Sequence, residues 1–176
     1  MRVKMFDMTP HPPPIRVLMV CMGNICRSPT AEAVLRGLAQ QQGWGDQVVV
    51  DSAGTGGAHT GEAPDRRAQK AAMVRGYGGI AQLKARMVEP TDFERFDHIL
   101  AMDADNLAQL QKRCPTHLQH KLGLFLEVAG VAEAVGATEV PDPYYGNAQG
   151  FERVLDLCEA GARGLLEQLS QRGTVG

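Results

Sequence analysis

Eight consecutive residues, Cys21-Met22-Gly23-Asn24-Ile25-Cys26-Arg27-Ser28, gather a thiol, a glycine, an arginine and a hydroxyl into one short segment. Between a strand and a helix, such a loop can turn its backbone N–H groups toward one point, where the helix N-terminus adds positive potential. That arrangement suits a bound phosphate. It also favours the thiolate form of a cysteine set in the ring, which makes Cys21 a nucleophile. Gly23 lets the chain turn tightly without a Cβ clash. Arg27, six positions after Cys21, is close enough to reach back and hold two phosphoryl oxygens with its planar fork. Each residue alone has an ordinary explanation: a strand-end cysteine is usually a small buried hydrophobe, and an arginine near a helix start usually sits in water. Their coincidence points to phosphoryl transfer onto sulfur, with Met22, Gly23, Asn24, Ile25 and Cys26 forming the phosphate loop.

The surrounding sequence supplies the elements that such a loop needs. Ile15 to Val20 is a short, mostly apolar run that reads as a buried strand ending at Cys21. Ser28-Pro29 suits a helix start, with Ser28 as N-cap and Pro29 at the first helical position. Ala31, Val34, Leu35 and Leu38 then follow at helical spacing, and the pattern fades near Gly43. Val48 to Val50 predicts a second strand, followed by a loop of small residues from Asp51 to Gly57. A helix is expected from about Pro64 to Arg75, closed by Gly76. His98 to Met102 predicts a third strand, Asp103 to Arg113 a helix, Leu122 to Leu126 a fourth strand, and about Gly150 to Gln171 a long final helix. Strands alternating with helices imply an α/β fold with a parallel sheet covered on both faces. In such sheets ligands gather at the carboxyl ends of the strands, where Cys21 falls.

Composition narrows the setting. The 176 residues suit one domain, expected over residues 15–176, preceded by a proline-rich leader over residues 1–14 that reads as disordered. A net charge of −2 offers no bulk attraction for nucleic acid or an anionic membrane, so phosphate affinity must be local. Cysteines at 21, 26, 114 and 158 are too sparse for a secreted disulfide scaffold, and Cys114 and Cys158 stand alone rather than in the closely spaced cysteine pairs of a zinc site. No apolar run approaches the ~20 residues of a membrane span. A reducing, cytoplasmic location is expected. Cys21 and Cys26 form a Cys-x4-Cys pair on one loop. A reversible disulfide and an inert buried Cys26 are both compatible with the residues alone.

The Cys-x5-Arg-Ser loop near the N-terminus resembles that of the low-molecular-weight protein tyrosine phosphatases. The likeness continues through Asp51-Ser52-Ala53-Gly54-Thr55, Pro64-Asp65, Ala85-Arg86, Phe96-Asp97, Ala101-Met102-Asp103 and Asp142-Pro143-Tyr144-Tyr145-Gly146, in the family's order, and covers Ile15 to Leu169. The resemblance implies a single-domain, three-layer fold with a four-stranded parallel sheet in flavodoxin-like order, and a site that uses neither metal nor organic cofactor. It implies hydrolysis of phosphotyrosine, or of a small aryl phosphate, through a phosphocysteine at Cys21, with Arg27 and the loop amides on the phosphate. Asp142 becomes the general acid and base, although by itself Asp142-Pro143 reads as a turn. Ser28 becomes the hydroxyl on the thiolate, and Asn24 with Ser52 the pair that shapes the loop. Tyr144 and Tyr145 become aromatic walls. The resemblance also favours Cys26 as a redox partner of Cys21.

Two positions depart from the family pattern. Ala58 stands where many members carry tryptophan on the rim, so one aromatic wall is either missing or replaced by His59 or another group. Leu83 stands where some members have a histidine supporting the loop asparagine. A thioredoxin-coupled arsenate reductase shares the loop but uses two further cysteines close together, whereas Cys114 and Cys158 are 44 positions apart. A phosphotyrosine-binding module without catalysis would be expected to lose Cys21 or Asp142.

Overall fold

Ile15–Cys21 forms the first strand, β1, and its residues from Val17 onward are buried. The computed structural model describes residues 13–173, so most of the expected leader over 1–14 lies outside the described residues. The chain continues through α1 (Arg27–Gln41), β2 (Val48–Gly54), α2 (Arg66–Val74), α3 (Asp92–Arg95), β3 (His98–Ala101), α4 (Ala104–Arg113) and β4 (Leu122–Leu124). It ends with the short α5 (Phe125–Val128) and α6 (Ala132–Val135) and the long α7 (Ala148–Gly173). The four strands are parallel in the order β2-β1-β3-β4, the flavodoxin-like order expected.

β1 occupies the interior of the sheet and needs apolar residues on both sides. Val17, Met19 and Cys21 share one core with Val34, Leu35 and Leu38 of α1 and with Val154, Leu155, Leu157 and Leu165 of α7. Leu18 and Val20 point the other way, into a second core with Phe93, Phe96 and Leu110. Helices thus cover both faces, giving the three layers of a single α/β domain. Each fully buried Leu or Phe in these cores contributes about 1.5–3 kcal/mol relative to exposure.

Several boundaries differ from the sequence expectation. β2 runs to Gly54, because its register with β1 extends from Ile15↔Val48 to Cys21↔Gly54 and draws residues 51–54 into the ladder. β4 stops at Leu124, and Phe125 and Leu126 turn inward as a helical turn in which both are fully buried. Ser28 is not the N-cap of α1. The helix begins at Arg27 with Cys26 at the cap position and no side-chain cap bond, because the Ser28 hydroxyl is directed toward Cys21 instead. Pro29 still falls in the first turn, where an N–H has no intrahelical acceptor. Gly76, at φ +93°, closes the second helix as expected. Among the described residues no helix is long and apolar enough to cross a membrane.

Candidate active site

The carboxyl ends of β1, β2 and β3 converge on the loop between Cys21 and Arg27. Thr55 and Gly56, just past β2, donate their N–H groups to the carbonyls of Cys21 and Met22, each at 2.9 Å. Gly54 passes so close that a Cβ there would lie 2.7 Å from the Met22 carbonyl oxygen and 3.3 Å from the Asn24 nitrogen, which makes glycine necessary. Within the loop, the backbone N–H groups of Met22, Gly23, Asn24, Ile25 and Cys26 donate to no other protein group among the described residues. Successive free amides ahead of a helix N-terminus make a concave anion site.

The loop is held by a buried polar chain. Asn24 adopts φ +56°, a left-handed conformation that asparagine tolerates better than most residues. Its amide nitrogen donates to Ser28 Oγ at 2.8 Å and to Ser52 Oγ at 2.9 Å, while its carbonyl oxygen accepts from the Arg86 N–H at 3.0 Å. Ser28 Oγ lies 2.9 Å from Cys21 Sγ, and Ser52 donates to Glu32 Oε1 at 2.7 Å. Glu32 is buried, which raises its pKa, opposed by the Ser52 hydrogen bond and the charge of Arg36. The structure therefore brings Cys21, Asn24, Ser28 and Ser52 into one hydrogen-bonded chain. Leu83 packs against the apolar core beside α1.

Arg27 is almost fully buried. Its Nη1 donates to Asp103 Oδ2 at 2.5 Å and to the Val140 carbonyl at 3.1 Å, and its Nη2 lies 3.8 Å from Asp142 Oδ2. Burial disfavours the Arg27 charge, but the Asp103 hydrogen bond and the surrounding negative groups outweigh it and raise its pKa. Asp103 serves two masters at once, since its other oxygen caps α4 by accepting from the Asn106 N–H at 2.7 Å. Val140 reaches Arg27 because its own N–H is bonded to the Met102 carbonyl at 2.8 Å, immediately beyond β3. That bond brings the segment carrying Asp142 to the mouth of the site.

A cavity of about 350 Å³ opens over the loop, lined by Cys21, Met22, Gly23, Ile25, Cys26, Arg27, Gly56, Gly57, Ala58, His59, Asp142, Tyr144 and Tyr145. Asp142 Oδ1 accepts from the Tyr144 N–H at 3.0 Å, and its side chain is partly exposed. The rings of Tyr144 and Tyr145 meet edge to face with centroids 4.9 Å apart, and His59 stands 6.5 Å from Tyr144. His59 Nδ1 lies 2.7 Å from Glu62 Oε2. Ala58 contributes no ring to this wall. All four expected rim residues thus line the mouth.

Of the other three cysteines, Cys26 and Cys158 share a core with Cys21, and only Cys114 lies apart. Burial, then the negative groups Asp65, Cys21 and Asp142, push the Cys26 thiol up to about 12. Cys158 is buried beside α1 and Cys114 in the core on the opposite face of the sheet. Sequence reading missed Glu32 as a buried support, and it gave Asp103 no partner, placing it at a helix start and at the end of the family-like segment Ala101-Met102-Asp103. The spacing of Glu32 and Arg36, four apart on one helix, was the only local sign of the first. No local sign marked the second, because its partner lies 76 residues away.

The chain is similar to known proteins over most of its length. The sequence profile described as low molecular weight phosphotyrosine protein phosphatase matches residues 16–175. A low molecular weight protein-tyrosine-phosphatase of Streptomyces coelicolor is 42% identical over 157 residues, covering 89% of this chain and 94% of its own. The human low molecular weight phosphotyrosine protein phosphatase is 39% identical over 152 residues, covering 86% of this chain and 94% of its own. The crystal structure of a protein tyrosine phosphatase from Entamoeba histolytica, with Hepes in its active site, matches with a TM-score of 0.84 at 39% identity, covering 90% of this chain and 99% of that one. On the profile and on both relatives, the chain belongs to the low molecular weight phosphotyrosine protein phosphatase family.

Proposed function

We propose that the chain hydrolyses phosphotyrosine on proteins, and small aryl phosphates, through a phosphocysteine at Cys21. The observation that carries this reading is one cavity lined by Cys21, Arg27 and Asp142, with Ser28 Oγ 2.9 Å from the thiol sulfur. The thiolate attacks phosphorus, the S–P bond forms as the aryl P–O bond breaks, and Asp142 gives its proton to the departing phenolate oxygen. In the second step the Asp142 carboxylate takes a proton from water, the water oxygen bonds to phosphorus, and the S–P electrons return to sulfur. The Ser28 hydroxyl, held by Asn24, donates to that sulfur and eases its departure. With Arg27 Nη1 committed to Asp103 and Val140, the Nη2 and Nε side of the fork and the loop amides meet the equatorial oxygens, where transition-state charge gathers. The walls formed by His59, Tyr144 and Tyr145 suit a flat aromatic leaving group.

Hydrolysis of para-nitrophenyl phosphate tests the assignment. Cys21→Ser should abolish turnover, and Asp142→Ala should lose roughly 10²–10⁴-fold, the usual contribution of a positioned acid. Turnover by Cys21→Ser at the wild-type rate would refute the mechanism. The same two variants, used as traps on tyrosine-phosphorylated cell proteins, should retain the physiological substrate.

Cys26 lines the same cavity as Cys21. Once peroxide has converted Cys21 to a sulfenic acid, the Cys26 thiol condenses with it to a disulfide and releases water. Burial, with Asp65 and Cys21 beside it, holds the Cys26 thiol in its protonated form, so it does not compete with Cys21 as nucleophile on the ester. Activity lost to peroxide should return with dithiothreitol in the wild type and far less in Cys26→Ala; equal recovery would remove Cys26 from the redox role.

A further inference from the structure

Arg67 stands in the first turn of α2, outside the cavity lining, yet its guanidinium touches both halves of the site. On one side, Asp65 donates its N–H to the Ile25 carbonyl of the phosphate loop at 2.8 Å. The Asp65 carboxylate grips Arg67 as a fork, accepting from Nε at 3.1 Å and from Nη2 at 3.0 Å. On the other side, Nη2 donates to the Tyr144 carbonyl at 3.0 Å and Nη1 to the Gly146 carbonyl at 3.5 Å. The guanidinium lies 4.7 Å from the Phe151 ring centroid at the start of α7 and 5.8 Å from that of Tyr144. An exposed arginine paired with one carboxylate contributes little to stability and keeps its rotamers. A planar group with a bidentate carboxylate, two carbonyls and two rings has its plane fixed. The Tyr144 residue whose carbonyl it holds also bonds Asp142 through its N–H.

We infer that Arg67 is a positioning residue for proton transfer, clamping residues 142–146 to the phosphate loop through Asp65 so that the Asp142 carboxyl stays over the leaving oxygen. The inference rests on the reading of Asp142 as the general acid. Loss of the clamp leaves thiol and phosphate site intact but lets the acid drift, so the effect depends on how much the leaving group needs its proton.

The test compares phenyl phosphate, whose phenolate leaves reluctantly, with 2,4-dinitrophenyl phosphate, whose phenolate leaves without protonation. For Arg67→Met, kcat/KM on phenyl phosphate should fall about tenfold, part of the ~10²–10⁴-fold effect of a positioned acid, and on the dinitrophenyl ester by less than about twofold. Arg67→Lys, which keeps the charge and loses the fork, should show the same pattern in milder form. Equal losses on both esters, no loss on either, or unfolding of both variants at the assay temperature would overturn the inference, the last by making Arg67 a support of the fold. Asp142→Asn separates the two claims. If it discriminates between the esters and Arg67→Met does not, the clamp fails alone. If Asp142→Asn treats both esters alike, the acid reading fails and the clamp with it.

Discussion

Asn24 is where backbone and side chain are most tightly linked in this site. It sits at φ +56° and connects Ser28, Ser52 and Arg86 through its amide. Alanine would keep the left-handed backbone at a cost of about 1–2 kcal/mol and leave buried partners unsatisfied for a further ~1–3 kcal/mol. Asn24→Ala should therefore lose about 3 kcal/mol in urea unfolding, and Asn24→Gly about 1 kcal/mol less, since glycine accepts the backbone but not the hydrogen bonds. Identical losses in the two variants would show that the conformation carries no strain. As supports of the loop, Asn24 and Ser52 entered the sequence reading only through resemblance, because as isolated residues both look like turn formers. Asp103 escaped for the opposite reason. Its capping role is local and legible, and the local explanation hid the oxygen that faces Arg27.

At the scale of elements, the order of strands and helices was legible because β1, α1 and α7 carry strong apolar patterns. Boundaries were legible where a special residue enforces them, as Gly76 does, and illegible where a neighbour decides. β2 continues through Asp51 and Ser52 because β1 offers a ladder as far as Cys21, and no property of Asp51 announces that. The consequence is functional. Extending β2 to Gly54 sets Ser52 beside Asn24 and brings Thr55 and Gly56 onto the loop carbonyls, so the site is built from three strand ends at once. The helix start shows the same competition. A serine at a plausible N-cap gives up that bond to hold the thiol, while the free amides at the start of α1 stay available to an anion. The short helical turns at α3, α5 and α6 left no periodic trace, since four residues cannot display a helical face.

At the scale of the whole molecule, buried thiols couple the fold to alkaline pH. Burial, as the first cause, raises the pKa of both Cys26, to about 12, and Cys158. In the unfolded chain each thiol titrates near ~8.5. Below that value both states hold the proton and the contribution to stability is complete. As pH rises from there toward the folded value, the unfolded state releases protons that the native state keeps, so stability falls by up to ~1.4 kcal/mol per pH unit for each thiol. Tyr77, whose pKa is also raised, chiefly by burial, adds loss of the same sign at higher pH. Urea midpoints measured under reducing conditions between pH 7 and about pH 10 should fall once pH passes the thiol range. Cys158→Ala should start from a lower stability, because it leaves a gap beneath α7, yet decline less steeply by about one thiol's share. Parallel slopes in the two proteins would mean that Cys158 ionises as readily in the core as in the unfolded chain, contrary to its complete burial.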